Sequence, residues 1–220
     1  MKKILIDGGP CAGKTTGIKI VSQTLREIGY FPVIVPEAAG ILKVGGLNID
    51  NFGRNDFQRA IISLQLSNEK IFAKLGQQIE LKSSKHCVLL YDRGTLSSAA
   101  WLEHEDPLLV YEDIVLKPLG TTVEECRKNY DYVVHMVTVA NGCEELYTRE
   151  NKVLGTIRTS DVQQAKILDE RIYKLYDKHS NVVKITNIDD TGNQISYQEK
   201  VRILTEVILS QLTQRKDQQQ

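Results

Sequence analysis

An α/β fold in three layers, with a parallel sheet covered by helices on both faces, is what this sequence predicts. Short runs of consecutive apolar residues recur along the 220 residues, and segments of helical periodicity separate them. The runs end in turn residues and are not joined by hairpin signals. Strands buried on both faces have no polar side and read as unbroken apolar runs, while intervening helices supply the crossovers that parallel strands need.

The elements follow in order. Ile4-Leu5-Ile6 is the first strand and Thr15 to Ile28 the helix after it, closed by Gly29. Val33-Ile34-Val35 is a second strand ending at Pro36-Glu37. Gly40 to Asn55 is glycine-rich with little periodicity and reads as loop. Asp56 to about Lys82 is a long helix whose apolar side carries Ile61, Ile62, Leu64, Phe72 and Leu75. Gln58, Gln65 and Glu69 flank that stripe and are expected in solvent; the alternative is that Gln58 and Gln65, aligned by their spacing of seven, read a ring edge in a cleft. Cys87 to Tyr91 is the third strand, ending at Asp92, and Tyr132 to Val137 the fourth. The helix from Ser160 to Lys178 carries Lys166, Glu170, Lys174 and Lys178 at four-residue steps, a solvated face with intrahelical ion pairs. Val182 to Ile185 is the fifth strand and Ser196 to Leu212 the closing helix. One domain is expected over residues 1–213, with a disordered polar tail over 214–220.

Composition bounds the function. Lys plus Arg, 28, cancels Asp plus Glu, also 28, so no net charge favours nucleic acid or an acidic membrane as the main partner. Cys11, Cys87, Cys126 and Cys143 form no CxxC pair and read as reduced thiols, not as a zinc site or disulfide framework. Met1-Lys2-Lys3 runs straight into the first strand without a signal-peptide core, and the apolar stretches are too short to span a bilayer. The cytoplasm is the expected compartment.

Between the first strand and its helix stands GGPCAGKTT, comprising Gly8, Gly9, Pro10, Cys11, Ala12, Gly13, Lys14, Thr15 and Thr16. Gly8-x-x-x-x-Gly13-Lys14-Thr15 satisfies the phosphate-loop (Walker A) pattern in its required strand-then-helix context. Glycines let successive backbone N–H groups turn inward around a phosphate chain. Lys14 reaches the β- and γ-phosphates, the Thr15 hydroxyl coordinates Mg²⁺, and the helix N-terminus adds partial positive charge. The stretch binds a nucleoside triphosphate. The missing Asn-Lys-x-Asp motif, since Asn151-Lys152-Val153-Leu154 fails at its last position, favours ATP, with GTP the alternative.

Ligands of open α/β sheets lie beyond the carboxyl ends of the strands, so residues there face the phosphate loop. Asp92 ends the third strand where such enzymes hold Mg²⁺, and Arg93 replaces the water-polarising glutamate of many ATPases. An arginine there clamps phosphate oxygens as charge moves between donor and acceptor. Glu37, ending the second strand, can accept the proton of a substrate hydroxyl. Arg149 and Arg158 lie in a segment of about 141–159 that faces the loop and can close as a lid.

Taken together, GGPCAGKTT, VIVPEAA, FQRAIISLQLSNEK, VLLYDRG, YDYVVHMVTVANGCEELY, NKVLGTIR and AKILDERIYKLYDKH resemble, in content and order, the NadR/translocation-defect type of AAA-like phosphate-loop domain. The resemblance covers roughly Lys3 to Ile188. It implies a P-loop NTPase fold of the nucleoside and nucleotide kinase kind, Mg²⁺ and nucleotide at Gly8 to Thr16, Asp92 and Arg93 beside the phosphates, and Arg149 and Arg158 in the lid. Asn151-Lys152 stands where the family often has Asn-Asn, and Ser160 where it often has glutamate. Members of the trafficking type are associated with GTP and phosphoinositides. The leading reading is a Mg-ATP-dependent kinase acting on a small nucleoside-like acceptor. The alternative is a nucleotide-dependent regulator with weak hydrolysis that binds a phosphoinositide or protein partner.

Overall fold

The computed structural model describes residues 1–213 apart from 48–49, 51–52, 103, 105, 152–155 and 158–159. Its centre is a five-stranded sheet of β1 (Lys2–Asp7), β2 (Phe31–Val35), β3 (Cys87–Asp92), β4 (Tyr132–Met136) and β7 (Val182–Ile185), in the order β2-β3-β1-β4-β7. All four pairings are parallel. β5 (Glu150–Asn151) and β6 (Thr156–Ile157) form a separate antiparallel pair within the segment expected to be a lid.

Alternation along the central strands sends side chains to two cores. Leu5, Leu89, Tyr91 and Val133 point to one face. There they meet α3 (Arg54–Lys82) through Ile62 and α6 (Val162–Tyr176) through Ile172 and Tyr176. Ile4, Ile6, Val88, Leu90, Val134 and Met136 point to the other. That face is covered by Ile18, Val21 and Leu25 of α1 (Lys14–Glu27) and Leu204, Ile208 and Leu212 of α7 (Tyr197–Thr213). Helices on both faces of a parallel sheet make the three-layer α/β arrangement that the apolar runs predict.

Three local readings change. Part of the supposed loop after β2 is helical: α2 spans Ala38–Val44, anchored by the buried Ala38 and Gly40. Between β3 and β4, where the sequence suggested no element, short helices follow one another. They are a 3₁₀ turn at Ser97–Trp101, α4 (Pro107–Tyr111) followed by a π-helical turn (Glu112–Leu116) and a 3₁₀ turn (Lys117–Leu119), and α5 (Val123–Lys128). Each is too short to show a 3.6-residue period. Finally, Lys166 pairs with Glu144 at 2.6 Å and Glu170 with Lys184 at 3.6 Å, so these ion pairs join neighbouring elements instead of running along the helix. The proposed 214–220 tail lies outside the described residues.

Cys87, Cys126 and Cys143 are buried free thiols, while Cys11 is partly exposed. Among the described residues, no helix is long and apolar enough to cross a membrane.

Leu89, fully buried in β3, and Leu81, 87% exposed at the end of α3, give a direct test of this layering. Leu89→Ala should destabilise the fold by about 2–5 kcal/mol, and Leu81→Ala by less than about 0.5 kcal/mol, both read from urea midpoints.

Candidate functional site

β1 ends in Asp7 and β3 in Asp92, and because the two strands are adjacent their carboxyl ends open beside one turn of chain. That turn, Gly8 to Gly13, leads into α1. Gly8 has φ +143°, and a Cβ there would lie 2.0 Å from the Met136 carbonyl oxygen, so only glycine lets the loop pass β4. Gly13 has φ +84° and packs on the Tyr197 ring, whose hydroxyl donates to the Gly13 carbonyl at 3.2 Å. Cys11 also takes a left-handed backbone, φ +58°.

The loop's side chains converge. Lys14 is buried, and its ammonium donates to the Gly8 and Gly9 carbonyls at 2.8 Å each. Burial, reinforced by Arg93, lowers its pKa to about 8. The Thr15 hydroxyl donates to Asp92 Oδ2 at 2.6 Å. Asp92 is raised above its ordinary value by burial and by the charge of Glu37. Its other oxygen, Oδ1, is buried with no hydrogen-bond partner. One hydroxyl and one carboxylate with an uncommitted oxygen form a hard-oxygen donor set. This fits Mg²⁺, a hard cation that takes oxygen ligands.

Arg93 stands between the loop and the neighbouring cleft. Its backbone is left-handed, φ +72°. Its guanidinium lies 2.9 Å from Glu37 Oε1 and 3.4 Å from Asp7 Oδ1, donates to the Gly8 carbonyl at 3.2 Å, and covers the Trp101 ring at 5.2 Å. Glu37, which the sequence offers without a partner, thus has one. The chain Glu37–Arg93–Asp7 joins the ends of β2, β3 and β1.

Beyond Arg93 opens a cleft of about 760 Å³. Apolar Phe57, Ile61, Trp101 and Ile167 line it together with Glu37, Gln58, Gln65 and Arg93. Gln58, Gln65 and Glu69, expected in solvent, are instead only 5%, 3% and 5% exposed. α3 lies flat across this face of the molecule, so its flanking polar positions are covered too. Gln65 donates to the Arg93 carbonyl at 3.4 Å and to Glu69 at 2.9 Å. Glu69 also accepts from Thr95, Tyr130 and Asn129, and burial raises its pKa.

Arg149 is exposed, and the carbonyl of its neighbour Thr148 accepts from Cys11 Sγ at 3.1 Å, which sets this part of the supposed lid against the loop. Arg158 lies outside the described residues.

Several supporting residues are absent from the sequence-based set. Asp7 accepts from Ser97 as well as from the Gly8 N–H, and its signal is a charge closing an apolar strand. Tyr130 and Tyr176 accept from the N–H groups of Thr95 and Leu96, and Tyr111 donates to the Thr95 carbonyl, so the turn after Arg93 is satisfied by tyrosine hydroxyls. Asp169 accepts from the N–H groups of Gly9, at 2.7 Å, and Thr138, at 3.0 Å, tying the loop to the end of β4. Its signal is legible: Ala165, Asp169, Ile172 and Tyr176 form one buried stripe of α6, and Asp169 is its only charged member.

A family model described as an AAA domain matches residues 3–193. Comparison with curated proteins returns no match.

Burial alone would raise the Asp169 pKa, but His135 and the two backbone N–H donors outweigh it and hold the carboxyl below its ordinary 3.8. A depressed carboxyl adds stability above the unfolded pKa and loses it as pH falls through the folded value. Asp169→Asn should therefore cost about 1–3 kcal/mol near pH 7. Urea titrations should show the difference from the parent shrinking as pH drops below about 3.8.

Proposed function

The chain belongs to the AAA domain family, and we propose that it uses Mg-ATP to phosphorylate a hydroxyl of a small nucleoside-like metabolite held in the cleft beside the phosphate loop. The observation that carries this reading is the Glu37–Arg93–Asp7 linkage, which places a carboxylate and a guanidinium where cleft and loop meet. A binding switch needs only the loop, whereas a cleft of about 760 Å³ that opens on the same arginine suits a separate acceptor. The resemblance to NadR-type domains points the same way.

The division of labour follows from the contacts. The backbone N–H groups from Cys11 to Thr16 wrap the β-phosphate, and Lys14 exchanges its two carbonyl partners for β- and γ-phosphate oxygens. Thr15 Oγ1 and Asp92 would hold Mg²⁺, which would supply positive charge beside the β- and γ-phosphates. Glu37 orients the acceptor hydroxyl and takes its proton. The acceptor oxygen forms its bond to the γ-phosphorus as the bond to the β–γ bridging oxygen breaks, and ADP leaves with that electron pair. Arg93, pre-positioned over Trp101, turns to the transferring oxygens, and Arg149 approaches from the lid side. Positioning and electrostatics supply nearly all the rate.

Acceptor-dependent ADP release from Mg-ATP tests the proposal; nucleotide binding that no nucleoside stimulates would overturn it. Lys14→Ala should abolish triphosphate binding in calorimetry. Arg93→Ala should lower kcat about 10²–10³-fold with nucleotide affinity changed far less, and Glu37→Gln should lower kcat while sparing ATP binding. Because the Lys14 ammonium sits at about 8 and a polyanion raises it, ATP binding at pH 8.5 should take up protons. Calorimetry in buffers of different ionisation enthalpy reads this uptake, which should disappear at pH 7, where Lys14 is already protonated.

A further inference from the structure

Resting on the acceptor reading above, we infer that Gln58 selects the acceptor's ring by accepting a hydrogen bond from an N–H donor on its edge, so that the substrate class is a nucleoside with an amino-bearing base. Gln58 is 5% exposed, lines the cleft, and its Oε1 is a buried side-chain oxygen with no hydrogen-bond partner. A buried carbonyl oxygen left unpaired is destabilising, and a ligand donor recovers that cost on binding.

The setting fits a flat ring. Phe57, Ile61, Trp101 and Ile167 give the cleft apolar walls around Gln58. The orientation is set as well. Gln58 and Gln65 lie on one face of α3, and seven residues of helix rise roughly 10 Å. Gln65 marks the Arg93 end, since it donates to the Arg93 carbonyl. A nucleoside spans that separation with its hydroxymethyl group toward Glu37 and Arg93 and its base edge toward Gln58. The Gln65 amide nitrogen is committed to Glu69 and Arg93, so it offers the ring no free donor.

Two pairs of nucleosides differ by the single amino group in question: cytidine against pyrimidin-2-one riboside, and adenosine against purine riboside. Direct binding to the full chain by calorimetry, with the non-hydrolysable ATP analogue AMP-PNP and Mg²⁺ present, should favour the amino-bearing member of at least one pair by about 10-fold or more. In Gln58→Met, which keeps the side chain's length and removes the acceptor, that preference should fall below about 2-fold while AMP-PNP affinity stays unchanged. Gln58→Glu, which keeps an acceptor oxygen, should restore it. A preference that persists in Gln58→Met, no preference in the parent, or no nucleoside bound at all would each overturn the inference. If amino-selective binding appears without acceptor-stimulated ADP release, the phosphoryl-transfer reading fails and the assignment of Gln58 stands.

Discussion

Parallel pairing of β1 with β3, which sets Ile6 opposite Asp92, is the constraint on which the rest of the structure depends. With no strand between them, the turn leaving β1 and the carboxylate ending β3 open on the same side about one strand spacing apart. Thr15, at the start of α1, then reaches Asp92 directly. A strand inserted between the two would separate them by a further strand width and break that contact. The pairing also brings Arg93 alongside Asp7 and the Gly8 carbonyl, so one sheet edge presents an anion-binding loop, a metal-suited oxygen pair and a guanidinium together.

Holding these groups still requires buried polar chemistry that does not touch the ligands. The phosphate loop carries left-handed residues, and its conformation is secured from outside. Asp169 takes the Gly9 N–H, Thr138 donates to the Pro10 carbonyl, and Tyr197 donates to Gly13. Behind β4, Lys200 donates to Val137 and Asn187, and Asn187 in turn donates to Thr138. Burial lowers the Lys200 pKa to about 8, yet its ammonium has two oxygen partners, so the network is satisfied and not merely tolerated. A loop that must accept a polyanion without rearranging benefits from this kind of support.

Arg93 poses the opposite problem, because it sits in a left-handed backbone and is flanked by two carboxylates. Left-handed non-glycine residues are uncommon and cost energy unless their surroundings over-determine them. Here Gln65 holds the Arg93 carbonyl, and Tyr130 and Tyr176 hold the N–H groups of the next turn. Gly94 follows because a Cβ there would lie 2.2 Å from the Tyr176 hydroxyl oxygen. Glu69, saturated with donors, anchors Gln65, Thr95, Tyr130 and Asn129 at once. The polar side of α3 is thus a scaffold for the arginine at one end and a wall of the cleft at the other.

By itself the sequence determined the five strands and the four long helices, because short β-branched apolar runs bounded by turn residues alternate with long helical periods. It likewise singled out Gly8 to Thr16, Asp92, Arg93 and Glu37 as candidates, since glycine spacing and strand-end charges are local signals. Tertiary structure alone decided that Glu37 and Arg93 pair, that Gln58, Gln65 and Glu69 are covered, and that short helices fill the chain between β3 and β4. Those outcomes depend on which surfaces meet, and a pattern of neighbours along the chain does not encode what packs on top of it. Asp169 lies between the two cases: a charge within a buried stripe announces that it has a partner, but only the folded chain shows that the partner is the phosphate loop.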